Sequence, residues 1–326
     1  MRPLPVLILV ASLASSTALA QVGAASIAVG GIVMTHENHI SIQKEVLTVS
    51  QSKVVVDYDF RNDSDADITS DLAFNMPDYE SEQRSPSSQG FDDFNVWVNQ
   101  VPVHFTTEVK ATANGHDYTS LLRSMGIDIQ SFGHNYDRSV PSQIEQLTQK
   151  QKDRLLKAGL LVKPNDGPNW AVRKKYYWMQ TFPEHSTTHI RQEYAPALGH
   201  SYSIPYATTG DASKIDSELA SVCPTPELLS ALRKDAQQPR HAVGIEYVDY
   251  IMTTANTWVM PIADFTLIAA PAPESQSPGS SSSGGNFASF CWDGPAEKLD
   301  GNQLRAHLTD FAPKKELRIG FLQGNK

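Results

Sequence analysis

Residues 184–193, EHSTTHIRQE, hold the best-spaced groups for metal chemistry in the 326-residue chain. On an α-helix His185, His189 and Glu193 would recur every fourth residue on one face, a ligand spacing used by zinc enzymes. On a β-strand, at about 3.3 Å per residue, the two imidazoles stand roughly 13 Å apart, too far to share an ion. The neighbouring residue types decide between these. Thr187, Thr188, Ile190 and Tyr194 favour extended backbone, and Pro183 and Pro196 bracket the segment. The sequence therefore predicts a strand with polar side chains on its outer face, and no metal site.

The other groups that could do chemistry are scattered. His36 and His39 could meet across a turn, but no third ligand lies within sequence reach. A Ser/His/Asp triad needs no sequence proximity, so an exported hydrolase is the alternative reading; yet no G-x-S-x-G nucleophile motif is present. The serines nearest to glycine, in SPGSSSSGG, fall in a loop that preorganises nothing. Gly30 and Gly31 precede no helix, so they mark a bulge or strand end and not a phosphate cradle. No catalytic residue is assigned, and no cofactor is called for. Of the five tryptophans, Trp97 and Trp178 lie within alternating strands and belong to a core, whereas Trp170, beside the turn-rich VKPNDGPN, is the best placed to contact a ligand.

Strands dominate the elements that must position these groups. In KVVVDYDFRN, Val54, Val56, Tyr58 and Phe60 alternate with polar or outward positions, the pattern of a strand buried on one face. Asn62, Asp63 and Ser64 then break it, because short polar side chains bond back to local backbone. ITSDLAFN, FNVWV and VPVHFTTEVKA continue the pattern, with a tight turn at NQVP. Residues 21–117 thus form an N-terminal β-sandwich region. Residues 118–168 change period and form a helical insertion. It holds a short helix stopped by Gly126, and a longer one starting at Pro141, carrying Ile144, Leu147 and Leu155 on one side, and ending at Gly159. Residues 169–326 return to strands, with one helix opened by Thr225 and Pro226. There, HAVGIEYVDYIMTT and TWVMPIADFTLIAA predict a hairpin turning at AN, and 274–285 a mobile Ser/Gly/Pro-rich loop. NFASFCWDG and ELRIGFLQ supply the last strands. The fold class is mainly β, antiparallel β-sandwich regions with a central helical insertion.

Compartment follows from the N-terminus and the cysteines. Arg2, the apolar run from Leu4 to Ala14, and ALA at 18–20 make a signal peptide cleaved near Ala20, so the mature chain is expected in the periplasm or secreted. No later stretch has the roughly 20 apolar residues of a membrane span. In an oxidising compartment the only two cysteines, Cys223 and Cys291, are expected to form a disulfide. Losing Arg2 leaves a chain already at −9 more acidic, which argues against nucleic acid as a partner.

FRN (60–62), LAFNMPD (72–78), QTFP (180–183), EYAPALG (193–199), TTANTWVMPIADFTL (253–267) and FASFCWDG (287–294) resemble the bacterial domain-of-unknown-function family 4424. The resemblance runs from about residue 26 to the end and implies an exported, mostly β protein with a central helical insertion. It carries over no catalytic residue. The expectation is a binding or structural module of the cell envelope, whose partner is an envelope protein or a glycan. Neither the partner's identity nor the oligomeric state is readable from the sequence.

Overall fold

The structure, a computed structural model, describes residues 29–30, 32–34, 39–75, 79–80, 93–130, 143–161, 168–196, 198–202, 217–226, 228–229, 244–259, 261–271 and 286–323. The expected signal peptide, His36, Pro141 and the 274–285 loop lie outside these residues. The first half of the chain gives β1 (Val29–Gly30), β2 (Val33–Met34), β3 (Ile40–Val49), β4 (Val54–Asn62), β5 (Ile68–Asn75) and β6 (Tyr79–Glu80). β7 (Asn95–Val98), β8 (Val101–Pro102), β9 (Thr106–Ala113) and β10 (His116–Asp117) follow, then the helices α1 (Thr119–Ser124), α2 (Gln143–Gln146) and α3 (Gln149–Lys157). The second half gives β11 (Ala171–Phe182), β12 (Thr187–Tyr194), β13 (Gly199–Tyr202), α4 (Ser217–Ala220), β14 (Gly244–Ile251) and β15 (Ile262–Ala269). β16 (Asn286–Phe290), β17 (Ala296–Lys298), β18 (Leu304–Phe311) and β19 (Leu317–Gln323) complete it.

The largest sheet has eight strands in the order β17-β18-β15-β3-β4-β12-β7-β8. Two smaller sheets pack on its inner face, one ordered β1-β14-β19-β16 with β13 beside β14, the other β10-β9-β11-β5-β2 with β6 beside β11. The packing follows from the period-two pattern. Val54, Val56, Tyr58 and Phe60 turn inward and are buried, while Val55, Asp57 and Asp59 face out. Phe60 meets Phe182 of the second small sheet at 5.8 Å between ring centroids, and Phe74 meets Tyr194 at 5.1 Å. One continuous core joins all three sheets, and each large side chain fully buried in it stabilises the fold by roughly 1.5–3 kcal/mol.

Connections fix the details. Asn99 (φ 48°) and Gln100 (φ 70°) close the β7-β8 hairpin with two left-handed residues, the geometry whose twist matches paired strands. Asn62 is fully buried where β4 ends, its amide donating to the carbonyls of Ala66 and Phe182, each at 2.9 Å, while its Oδ1 accepts the Ser64 N–H. In β3 a bulge between Ile42 and Lys44 shifts the strand's phase, so Ile40, Ile42, Glu45, Leu47 and Val49 all point inward.

Two expectations need correction. β14 and β15 are not a hairpin. Met252–Thr257 form a 3₁₀ turn that carries the chain from a small sheet to the large one, because Met252 and Trp258 are themselves core residues. Trp258 Nε1 donates to the Ile32 carbonyl at 2.7 Å, tying this crossing to the point where the N-terminal segment passes from β1 to β2. The long helix is two short ones. Thr148 caps α3, accepting the Gln151 N–H while Gln151 Oε1 accepts the Thr148 N–H at 2.9 Å, and this capping box interrupts the helical path. The β regions at 21–117 and 169–326 share sheets: β3 and β4 lie between β15 and β12, and β11 lies between β9 and β5. The helical insertion has a smaller core of its own, with Leu122, Leu155 and Leu160 packed near Val172 of β11 and Ala111 of β9.

Candidate binding face and the buried acid

β12 is extended and antiparallel to both β4 and β7, as its β-branched residues require. His185 sits before it in a left-handed turn, 2.8 Å from Asp65, while His189 and Glu193 lie along the strand's outer face. The three residues are thus not gathered, for the strand spacing separates them. Each has another partner. His189 stands between Asp57 at 3.4 Å and Asp59 at 3.0 Å; Arg191 bridges Asp57 at 2.9 Å and Glu193 at 2.6 Å; Lys53 reaches Glu193 at 3.0 Å. Partial burial pushes the Glu193 carboxyl up, but the hydrogen bonds from Lys53 and Arg191 outweigh it and hold it below its usual value. Such part-exposed pairs stabilise by only ~0.2–1 kcal/mol each, so their consequence is an ordered polar surface more than a firmer fold.

The same outer surface continues across the sheet. Asp59 faces Lys44 of β3, Lys44 faces Asp264 of β15, and His307 of β18 lies 3.3 Å from Asp264. Trp97, half-buried on β7, pairs with Arg191 and Pro102 at the far edge. At the β17 end the face dips into a groove of about 480 Å³, lined by Thr266, Pro295, Ala296, Glu297, Arg305 and His307. Arg305 is bonded to Glu297 across the β17-β18 pair. Four of the six lining residues, Thr266, Glu297, Arg305 and His307, are polar and held on strands, so the groove offers donors, acceptors and both charges in fixed positions. Its volume lies in the range of small-ligand sites, about 300–1,000 Å³.

Directly beneath this face, on the inner side of the large sheet, is a carboxyl group in the core. Glu45 is 3% exposed, and burial pushes its carboxyl from 4.5 up to about 8. It pairs in register with Tyr58. Tyr250, from a small sheet, places its hydroxyl beside that of Tyr58 without closing a well-formed hydrogen bond, and Tyr194 is close enough to interact electrostatically with both. Burial raises all three phenols well above their ordinary range. Glu45 Oε2 and the hydroxyls of Tyr194 and Tyr250 have no partner among the described residues.

The remaining predicted residues fall as follows. Cys223 and Cys291 are joined, with their Cα atoms 4.9 Å apart, clipping the segment just after α4 to the end of β16. Trp178 is buried as expected. Trp170 is not exposed as its place beside the turn-rich stretch suggests: it is 3% exposed in the helical insertion's core, and its Nε1 donates to the Ile129 carbonyl at 3.2 Å. An isolated bridge pairs Leu161 with Pro168 just before Trp170, whose ring packs with Leu122, Leu155 and Leu160. Sequence reasoning missed the groove altogether, because its strands β17 and β18 carry no clean alternation. His185, His189, His200 and His307 each face a carboxylate. Among the described residues no helix is long and apolar enough to cross a membrane.

The family model for the domain of unknown function DUF4424 matches residues 20–319. No protein of curated function matches the chain in sequence. Among solved structures it is similar to a candidate nutrient binding protein from Legionella pneumophila subsp. pneumophila, with 13% identity and a TM-score of 0.45, over 92% of this chain and 72% of that one. It is also similar to an M1 zinc metallopeptidase from Deinococcus radiodurans, with 10% identity and a TM-score of 0.27, over 87% of this chain and 42% of that one. Likeness this distant fixes no chemistry.

Proposed function

This chain belongs to the family of the domain of unknown function DUF4424, and from that premise we propose that it is an exported binding module of the cell envelope, taking a polar ligand on the outer face of its large sheet. The observation that carries the reading is the polar groove of about 480 Å³ between β15, β18 and β17. Its Arg305, Glu297, His307 and Thr266 match a ligand that presents hydroxyl, amide and carboxylate groups together. A sugar–peptide fragment of the cell wall has that chemistry. Export is supported by the leader-like residues 1–20 and by the Cys223–Cys291 bond, since stable disulfides belong to oxidising compartments.

Calorimetric titration of the mature protein with soluble cell-wall sugar–peptide fragments tests this. Binding should weaken at least tenfold in Arg305→Ala and in His307→Ala, while both variants keep the wild-type melting temperature. Undiminished binding in both variants would remove the groove from the reading. Recovery of the protein from the cytoplasm with residues 1–20 intact would remove the envelope.

A further inference from the structure

A second recess lies beside the disulfide, with Cys291 in its wall, where the end of β16 meets the β18–β19 connection. It has a volume of about 210 Å³ and is walled by Met252, Trp292, Leu308, Phe311 and Leu317. Trp292 and Phe311 stand 5.6 Å apart between ring centroids, and Phe265 packs behind both at 6.0 and 4.6 Å. The aromatic wall is therefore braced from the core. Gly294 is part of the design: a Cβ there would come within 3.2 Å of both Trp292 Nε1 and Leu308 Cδ2, so the missing side chain lets the indole lie close over the backbone.

The polar groups of this recess are unequal. Lys315 is spent on Asp293 at 2.9 Å, and Glu316 accepts the Thr253 hydroxyl at 2.5 Å and its N–H at 3.3 Å. Two donors remain unused among the described residues, the exposed Lys314 ammonium and the shielded Trp292 Nε1. A complementary occupant has an apolar body to lie along the rings and a head that only accepts hydrogen bonds. The volume is below the roughly 300 Å³ at which drug-sized sites begin, so the occupant is about as large as one substituted ring. We infer that this recess is a second binding site, separate from the polar groove, for a small aromatic carboxylate whose acid group is held by Lys314 and whose ring lies against Trp292 and Phe311.

Phenylacetate, benzyl alcohol and benzylamine probe the two halves of the claim in calorimetric or tryptophan-fluorescence titrations. Phenylacetate should bind at least tenfold more tightly than benzylamine, with benzyl alcohol between them. Lys314→Ala should erase that order while leaving benzyl alcohol within about twofold. Ala312→Trp, at an exposed position lining the mouth, should abolish binding of all three without lowering the melting temperature. No binding of phenylacetate, a charge preference that survives Lys314→Ala, or binding unimpaired by Ala312→Trp would each overturn the assignment. Arg305→Ala should leave all three titrations unchanged, which separates this site from the groove.

Discussion

Glu45 is a carboxyl placed in the core at a cost to the fold. A protonated carboxyl is the form that the core tolerates, and Tyr58, Tyr194 and Tyr250 around it bring no positive charge. Unfolded, the group titrates near 4.5; folded, at about 8. Stability from this group is therefore full below the lower value, declines as pH rises between the two, and levels off above the higher. Glu45→Gln should stabilise the protein on the order of 3 kcal/mol at pH 7 and flatten the stability profile between the two values, as measured by urea unfolding across pH. A variant with the wild-type slope would mean that the carboxyl is already ionised in the fold. The sequence hides this residue because the bulge after Ile42 changes which residues of ISIQKEVLTV face inward. Simple alternation from Ile40 and Ile42 puts Lys44 inside and Glu45 out. Trp170 was hidden for the opposite reason: its local turn chemistry speaks of exposure, and only packing with residues distant in sequence, Ala111, Leu122 and Leu155 among them, buries it.

Among the elements, long strands were legible and their partners were not. Alternation locates β4, β11 and β12 and their buried faces, because one side of each must leave water. It does not say which sheet a strand joins, and so β14 and β15 read as neighbours although they lie in different layers. The break between α2 and α3 could have been found: Thr148 and Gln151 have the capping-box spacing, inside what looked like one amphipathic run. The helices pack into a small core apart from the main one, with Leu155 fully buried there. Local opening of that core need not disturb the sandwich. Amides of residues 149–157 should thus exchange faster than those of 54–60, while mutation of Leu155 to Ala accelerates the first set and not the second. Equal protection of both sets in native-state hydrogen exchange would show a single cooperative unit.

At the scale of the whole molecule, strands from both ends of the chain share the large sheet, and the disulfide spans a sequence separation of 68. Closing a loop of that length stabilises by about 4 kcal/mol through the unfolded state. Cys223→Ser should lower the unfolding free energy by up to that amount, and reductant should do the same to the wild type but not to the variant. Labelling of the denatured, unreduced protein should find no free thiol; two labelled thiols would refute the bond.

The mainly β class and the disulfide could be read from alternation and from cysteine number, since each depends on local pattern or simple counting. The groove could not, because β15 must meet β18 and β17 before Thr266, Arg305 and Glu297 converge, and no local signal announces that meeting. That convergence is the basis of the proposed function, so the most direct measurement is one that locates the ligand. Backbone amide chemical shifts, followed as cell-wall sugar–peptide fragments are added, should move along 264–268, 296–298 and 304–309 and stay fixed in 119–124 and 149–157. Shifts centred on the helical insertion, or no saturable shifts in the three groove segments, would contradict the account.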